Sequence, residues 1–167
     1  MANTFELIAS STVGSGGAST VSFTSISSSY TDLCLKMSMA NNTASWVDWY
    51  IQFNSSTSSY TDKLVYTGNG SSASSTSDSG IQPRTPLSTQ AWMNAEIYIP
   101  NYAGSTNKSV SLDQGWSRNA SGNGSTFTGL LAGLWSNTAA ITSIQIVPTS
   151  GNIVQYSTAY LYGVKNA

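Results

Sequence analysis

One short motif in this chain has the residue types of an acyl-transfer site. In Ser105-Thr-Asn-Lys108 an amine stands three residues after a hydroxyl whose proton it could take. The rest of the chain gives that reading little support. Serine is abundant, so the pattern arises cheaply, and the stretch reads as a turn. There is no histidine at all, which excludes a Ser-His-Asp triad, and no Gly-x-Ser-x-Gly elbow. The acids Asp32, Asp48, Asp62, Asp78, Glu96 and Asp113 are scattered singly. Glycoside hydrolysis needs two carboxylates about 5 to 10 Å apart. Asp48 and Glu96, both read as outward mid-strand positions, are the pair a fold could bring together. No loop has the Asp-rich spacing of a calcium hand, at Asp78 or elsewhere. Gly68-Asn-Gly70 and Gly122-Asn-Gly124 lack the Lys-Ser/Thr ending of a phosphate loop. The reading is a non-enzyme with no catalytic residue, metal or cofactor.

Charge and cysteine usage narrow the partners. Six basic residues stand against seven acidic ones, so the chain has almost no field with which to hold polyphosphate, and nucleic acid is not expected as a partner. Cys34 is alone, which excludes an intrachain disulfide and fits synthesis in a reducing cytoplasm. The acidic start Met1-Ala-Asn-Thr-Phe-Glu6 does not read as a secretory signal. The longest apolar run, Leu130-Leu-Ala-Gly-Leu-Trp135, is too short to cross a bilayer as a helix, so no membrane is expected either. The sequons at Asn54 and Asn69 are those chance supplies in a Ser/Thr-rich chain.

The elements that would position any site are strands. Val21 to Ile26, Leu33 to Met39 and Val47 to Phe53 alternate apolar with polar residues, the period of a half-buried sheet. Further strands are expected at Thr4 to Val13, Tyr60 to Thr67, Ala91 to Ile99, Lys108 to Trp116, Thr126 to Trp135, Ile141 to Pro148 and Ile153 to Val164. That makes roughly ten strands in a single all-β domain over residues 1–167, at the spacing of a sandwich or barrel. Turn chemistry marks Gly14 to Gly17, Asn41 to Thr43 and Ser150 to Asn152. The low-complexity stretch from Gly68 to Gly80 has almost nothing to bury and reads as a mobile loop or an arm that orders only on a partner.

Alternation also places large aromatics on the outward side. Trp46 and Tyr50 stand opposite the core-facing Trp49 and Ile51, and Trp92, Tyr98, Tyr160 and Tyr162 follow the same logic on other strands. Trp116 and Arg118 open a polar loop, as an interface pair or as a cap on the core. For the outward aromatics three readings stay open: cross-strand packing, a subunit interface, or a sugar-stacking platform.

Three stretches carry a resemblance along the whole chain. They are Phe5-Glu-Leu-Ile-Ala-Ser-Ser-Thr-Val-Gly-Ser-Gly-Gly17, Ile97-Tyr-Ile-Pro-Asn-Tyr102, and Gly129 to Ile144 together with Gln155 to Lys165. With these the chain resembles small Ser/Thr/Gly-rich virion proteins of tailed bacteriophages. The resemblance implies a jelly-roll-like β-sandwich built into the particle as a capsid decoration or cement protein, contacting the major capsid protein and itself as a homotrimer. Such a protein would be made in the host cytoplasm and displayed on the virion surface. A tail or fibre module binding host-surface glycan is the alternative, and no site residue is carried over from the group. Few lysines guard the strand edges, which fits edges covered in an assembly.

Overall fold

The alternating segments fold into two antiparallel sheets in a computed structural model, which describes residues 4–44, 47–67, 72–83, 91–118 and 126–165. In chain order the strands are β1 (Phe5–Thr12), β2 (Val21–Phe23), β3 (Asp32–Met39), β4 (Trp49–Phe53), β5 (Tyr60–Thr67) and β6 (Ser72–Asp78). They continue as β7 (Met93–Pro100), β8 (Lys108–Ser117), β9 (Thr126–Trp135), β10 (Ile144–Pro148) and β11 (Thr158–Val164). Eight form one sheet in the order β1-β11-β3-β7-β8-β9-β5-β6, and three form the other as β2-β10-β4. The protein is an all-β sandwich with unequal layers.

The period of two decides what fills the space between them. Trp49, Ile51 and Phe53 of β4 and Ile144 and Ile146 of β10 face inward from the small sheet. Leu33, Leu35, Ile97, Ile99, Leu112, Leu131, Trp135 and Leu161 meet them from the large one. Each fully buried aliphatic side chain of this kind contributes about 1.5–3 kcal/mol. One backbone bridge, Ile51 to Ile81, adds the segment after β6 to the free side of β4.

Polar loops are tied down by asparagines. Asn54, in the left-handed region at φ 52°, accepts from the N–H groups of Thr142 (2.8 Å) and Ser143 (3.1 Å) and donates to the Ala140 carbonyl at 2.8 Å. Asn41 donates to the Ser150 carbonyl at 3.0 Å, and Asn42 accepts from the Asn152 N–H at 2.9 Å, so two turns expected separately are packed on each other. Gly17 closes its turn at φ 71°, with its N–H on the Gly14 carbonyl at 3.0 Å. That turn joins strands of different sheets, so it is a crossover between layers and not the hairpin its composition suggests.

The Gly68 to Gly80 stretch departs from expectation. Residues 68–71 lie outside the described ones, but Ser72–Asp78 is strand β6, paired antiparallel with β5 from Tyr60↔Asp78 to Tyr66↔Ser72. Composition argued from side chains, whereas backbone hydrogen bonds to the exposed edge of β5 need none. Among the described residues the result is eleven strands where roughly ten were expected.

Candidate binding face

The outward side of the large sheet brings Lys36, Glu96 and Asp113 together with several of the outward aromatics. Register sets out its rows. One row crosses six strands as Tyr160, Lys36, Glu96, Asp113, Leu130 and Val65. The next row toward one end reads Thr158, Ser38, Asn94, Gly115 and Thr128. On the other side the row is Tyr162, Cys34, Tyr98, Ser111, Ala132 and Lys63. Trp92 stands two residues before Asn94 and is exposed.

Tall residues beside short ones leave a shallow groove of about 750 Å³ across the strands. Ser38, Asn94, Gly115, Thr128 and Thr158 line it, with Tyr160 and Leu130 contributing from its two ends. Lys36 donates to Glu96 at 2.8 Å, and this hydrogen bond holds the lysine above its ordinary pKa. Asp113 is the register partner of Glu96, so two carboxylates share the wall with one ammonium. Among the described residues, the side chains of Ser38, Asn94, Asp113, Thr128 and Thr158 have no hydrogen bond or ion pair within the chain.

Beside the groove the face is sealed. Cys34 is fully buried between its register neighbours Tyr98 and Tyr162, and burial, with the Glu96 charge second, pushes its thiol up to about 11. The Tyr98 hydroxyl donates to Asp32 at 2.5 Å, which together with burial pushes the phenol up to about 12. Asp32 also accepts from the Asn101 N–H at 2.8 Å, so this pair anchors the turn after β7. Cross-strand packing is therefore the role the geometry gives Tyr98.

The sequence candidates divide among several places. Trp92, Tyr98, Tyr160 and Tyr162 share the outer face of the large sheet, while Tyr50, half-buried, belongs to β4 in the other layer. Trp46 lies outside the described residues. Trp116 is buried, stacked on Phe127 at 6.4 Å, with Phe127 in turn stacked on Tyr66 at 5.4 Å. It caps the core, and its place in an exposed contact is withdrawn because the inward phase of β8 carries it inside. Arg118 follows β8 at the half-exposed rim.

Asp48 and Glu96 do not meet. Asp48 precedes β4 on the small-sheet side, where its carboxylate accepts from Gln82 at 3.0 Å, while Glu96 points outward from the opposite layer. In Ser105 to Lys108 the lysine is fully buried and donates to the carbonyls of Gly104 (2.7 Å) and Thr106 (2.5 Å), with burial lowering its pKa. It staples a turn. Among the described residues no group of three metal-ligating side chains occurs, and no helix is long and apolar enough to cross a membrane.

Apart from Tyr156 (71 %) in the loop before β11, sequence reasoning missed the exposed apolar residues Phe5 (50 %), Leu7 (51 %), Val65 (55 %) and Leu130 (65 %). They stand near the two ends of the large sheet, on β1 and on the β9–β5 pair. The signal for Leu130 was available. In Thr126–Trp135 the inward set is Phe127, Gly129, Leu131, Gly133 and Trp135, which leaves Leu130 outward by period.

No family model and no curated protein matches this chain. Among solved structures it is similar, at 16 % identity, to a chain of the structure of infectious bursal disease virus Gx strain, with 94 % of this chain and 38 % of that chain covered. The TM-score is 0.17, too low to bear on fold or function.

Proposed function

We propose that this chain is a virion structural protein of a tailed bacteriophage, a capsid decoration or cement protein that binds the coat lattice and its own copies and catalyses nothing. The observation that carries the reading is the strand order. β1-β11-β3-β7 facing β2-β10-β4, with the Ile81 segment bridged beyond β4, supports reading the sandwich as a jelly roll with interleaved sheets. That architecture serves viral capsid and lectin domains. The β5–β6 and β8–β9 pairs widen one layer of it. The resemblance of the three sequence stretches to phage virion proteins points the same way.

The exposed apolar residues fit the assembly this reading requires. A closed trimer uses a heterologous contact, in which one patch meets a different patch on the next copy. The large sheet offers two, Phe5 with Leu7 and Leu130 with Val65. β1, an edge strand without lysine or proline, is the kind of edge that an assembly covers. Many such small contacts repeated over a lattice add up as multivalent binding.

The test is add-back. Particles of the encoding phage stripped of this protein should be reinforced by the purified protein, seen as a higher temperature of DNA release. Protein that neither sediments with the stripped particles nor shifts that temperature would overturn the proposal.

A further inference from the structure

We propose that the groove across the large sheet is a binding site for a neutral or amine-bearing oligosaccharide, a function separate from lattice reinforcement. The groove extends from Tyr160 on β11 to Leu130 on β9, four strand-to-strand steps, or about 19 Å at the usual spacing. That is room for several sugar rings in line. Its lining includes the short hydroxyl and amide groups of Ser38, Asn94, Thr128 and Thr158, beside apolar surface from Ala95 and Leu130, and among the described residues none of those four side chains is hydrogen-bonded within the chain.

Three features choose a glycan over a protein segment. A protein interface keeps charged residues out of its centre, whereas here Lys36, Glu96 and Asp113 form one wall of the groove on its three central strands. Charged groups make the strong hydrogen bonds that sugar hydroxyls accept and donate. Tyr160, 38 % exposed at one end, offers an aromatic surface for the C–H face of a ring. Gly115 keeps the floor low where a side chain would raise it.

Charge then selects among glycans. One ammonium against two carboxylates leaves the groove with one net negative charge. Uronic, sulfated or sialylated chains would meet repulsion. Neutral chains would not, and an amino sugar could pair with Asp113, which has no cation bound to it among the described residues.

The experiment titrates the full-length protein, followed by isothermal calorimetry and by chemical shifts, with three probes: a neutral gluco-oligosaccharide, a glucosamine oligomer and an oligogalacturonate. The expected order is glucosamine oligomer, then neutral, with the uronate unbound. Tyr160→Ala should weaken binding roughly tenfold, Tyr160→Phe should preserve it, and Thr128→Trp, a substitution at an exposed position that fills the groove, should abolish it. All variants should sediment with capsids as the parent does. Failure of every probe at millimolar concentration would overturn the site, as would binding unchanged in Tyr160→Ala and Thr128→Trp. Loss of capsid sedimentation in those two variants would also overturn it, since a protein surface would then occupy the groove. Because the titration uses no particles, it reads the site whether or not the decoration role holds.

Discussion

Tyr60→Phe removes one oxygen from the interior and has a double signature. The ring is fully buried, stacked on Trp135 at 6.0 Å and tilted against Phe53 at 6.1 Å, and phenylalanine keeps those contacts. The hydroxyl accepts from the Phe53 N–H at 2.7 Å and donates to the Phe53 carbonyl at 3.4 Å. Its loss leaves a buried N–H unpaired, a cost of about 1–3 kcal/mol at neutral pH. Burial also pushes the Tyr60 phenol up to about 12 from its ordinary 10.0. An acid with a raised folded pKa stabilises the fold fully below its unfolded pKa, and that contribution is lost as pH rises through the folded one. Between pH 10 and 12 the parent therefore loses as much as ~3 kcal/mol through an ionisation that the variant lacks. Contributions common to both proteins cancel in the difference. Urea unfolding followed by tryptophan fluorescence at pH 7, 9 and 11 should show the parent ahead at the first two and the gap narrowing at the third. A gap that stays constant or widens with pH, or a variant within about 0.5 kcal/mol of the parent at pH 7, would refute the reasoning.

Other outcomes follow from single contacts. Gly80→Ala should destabilise by about 1–3 kcal/mol in thermal unfolding, because a Cβ there would lie 2.8 Å from the backbone oxygen of Ile51, which no rotamer change relieves. The Cys34 thiol should resist alkylation at pH 8 in the folded protein and react at once in denaturant, as quantified by mass spectrometry, since it is buried with its pKa at about 11. Glu96→Gln should change stability by less than about 1 kcal/mol, because the pair with Lys36 is half exposed to water. Trp92→Ala should leave the fold intact by circular dichroism but weaken assembly by about 2 kcal/mol in sedimentation equilibrium, the scale of an interface hot spot. Unaltered assembly would remove Trp92 from the interface.

The strands were legible wherever one face is apolar. Tyr60 to Thr67 and Thr126 to Trp135 were read to the residue, because alternation on those strands has a single phase that buries a continuous face. β6 was not legible, since Ser72-Ala-Ser-Ser-Thr-Ser-Asp78 has no apolar period and its partner is the backbone of β5. The face of a residue could be read, but its neighbours could not. Lys36, Glu96, Asp113 and Tyr160 come from four strands far apart in the sequence, and only the strand order β11-β3-β7-β8 lines them up. The same gap paired Asp48 with Glu96, two outward positions whose layers turn out to be opposite. Trp116 was left open between an interface and a cap on the core by its position beside a loop, although its spacing from Leu112 and Gln114 put it on the inward phase.

The central claim, that the protein reinforces a coat lattice, is tested most directly by its copy number relative to the major capsid protein in purified virions, measured by quantitative mass spectrometry. A ratio comparable with the number of lattice sites is the result expected of a decoration protein. A ratio matching that of a tail or fibre component would contradict it.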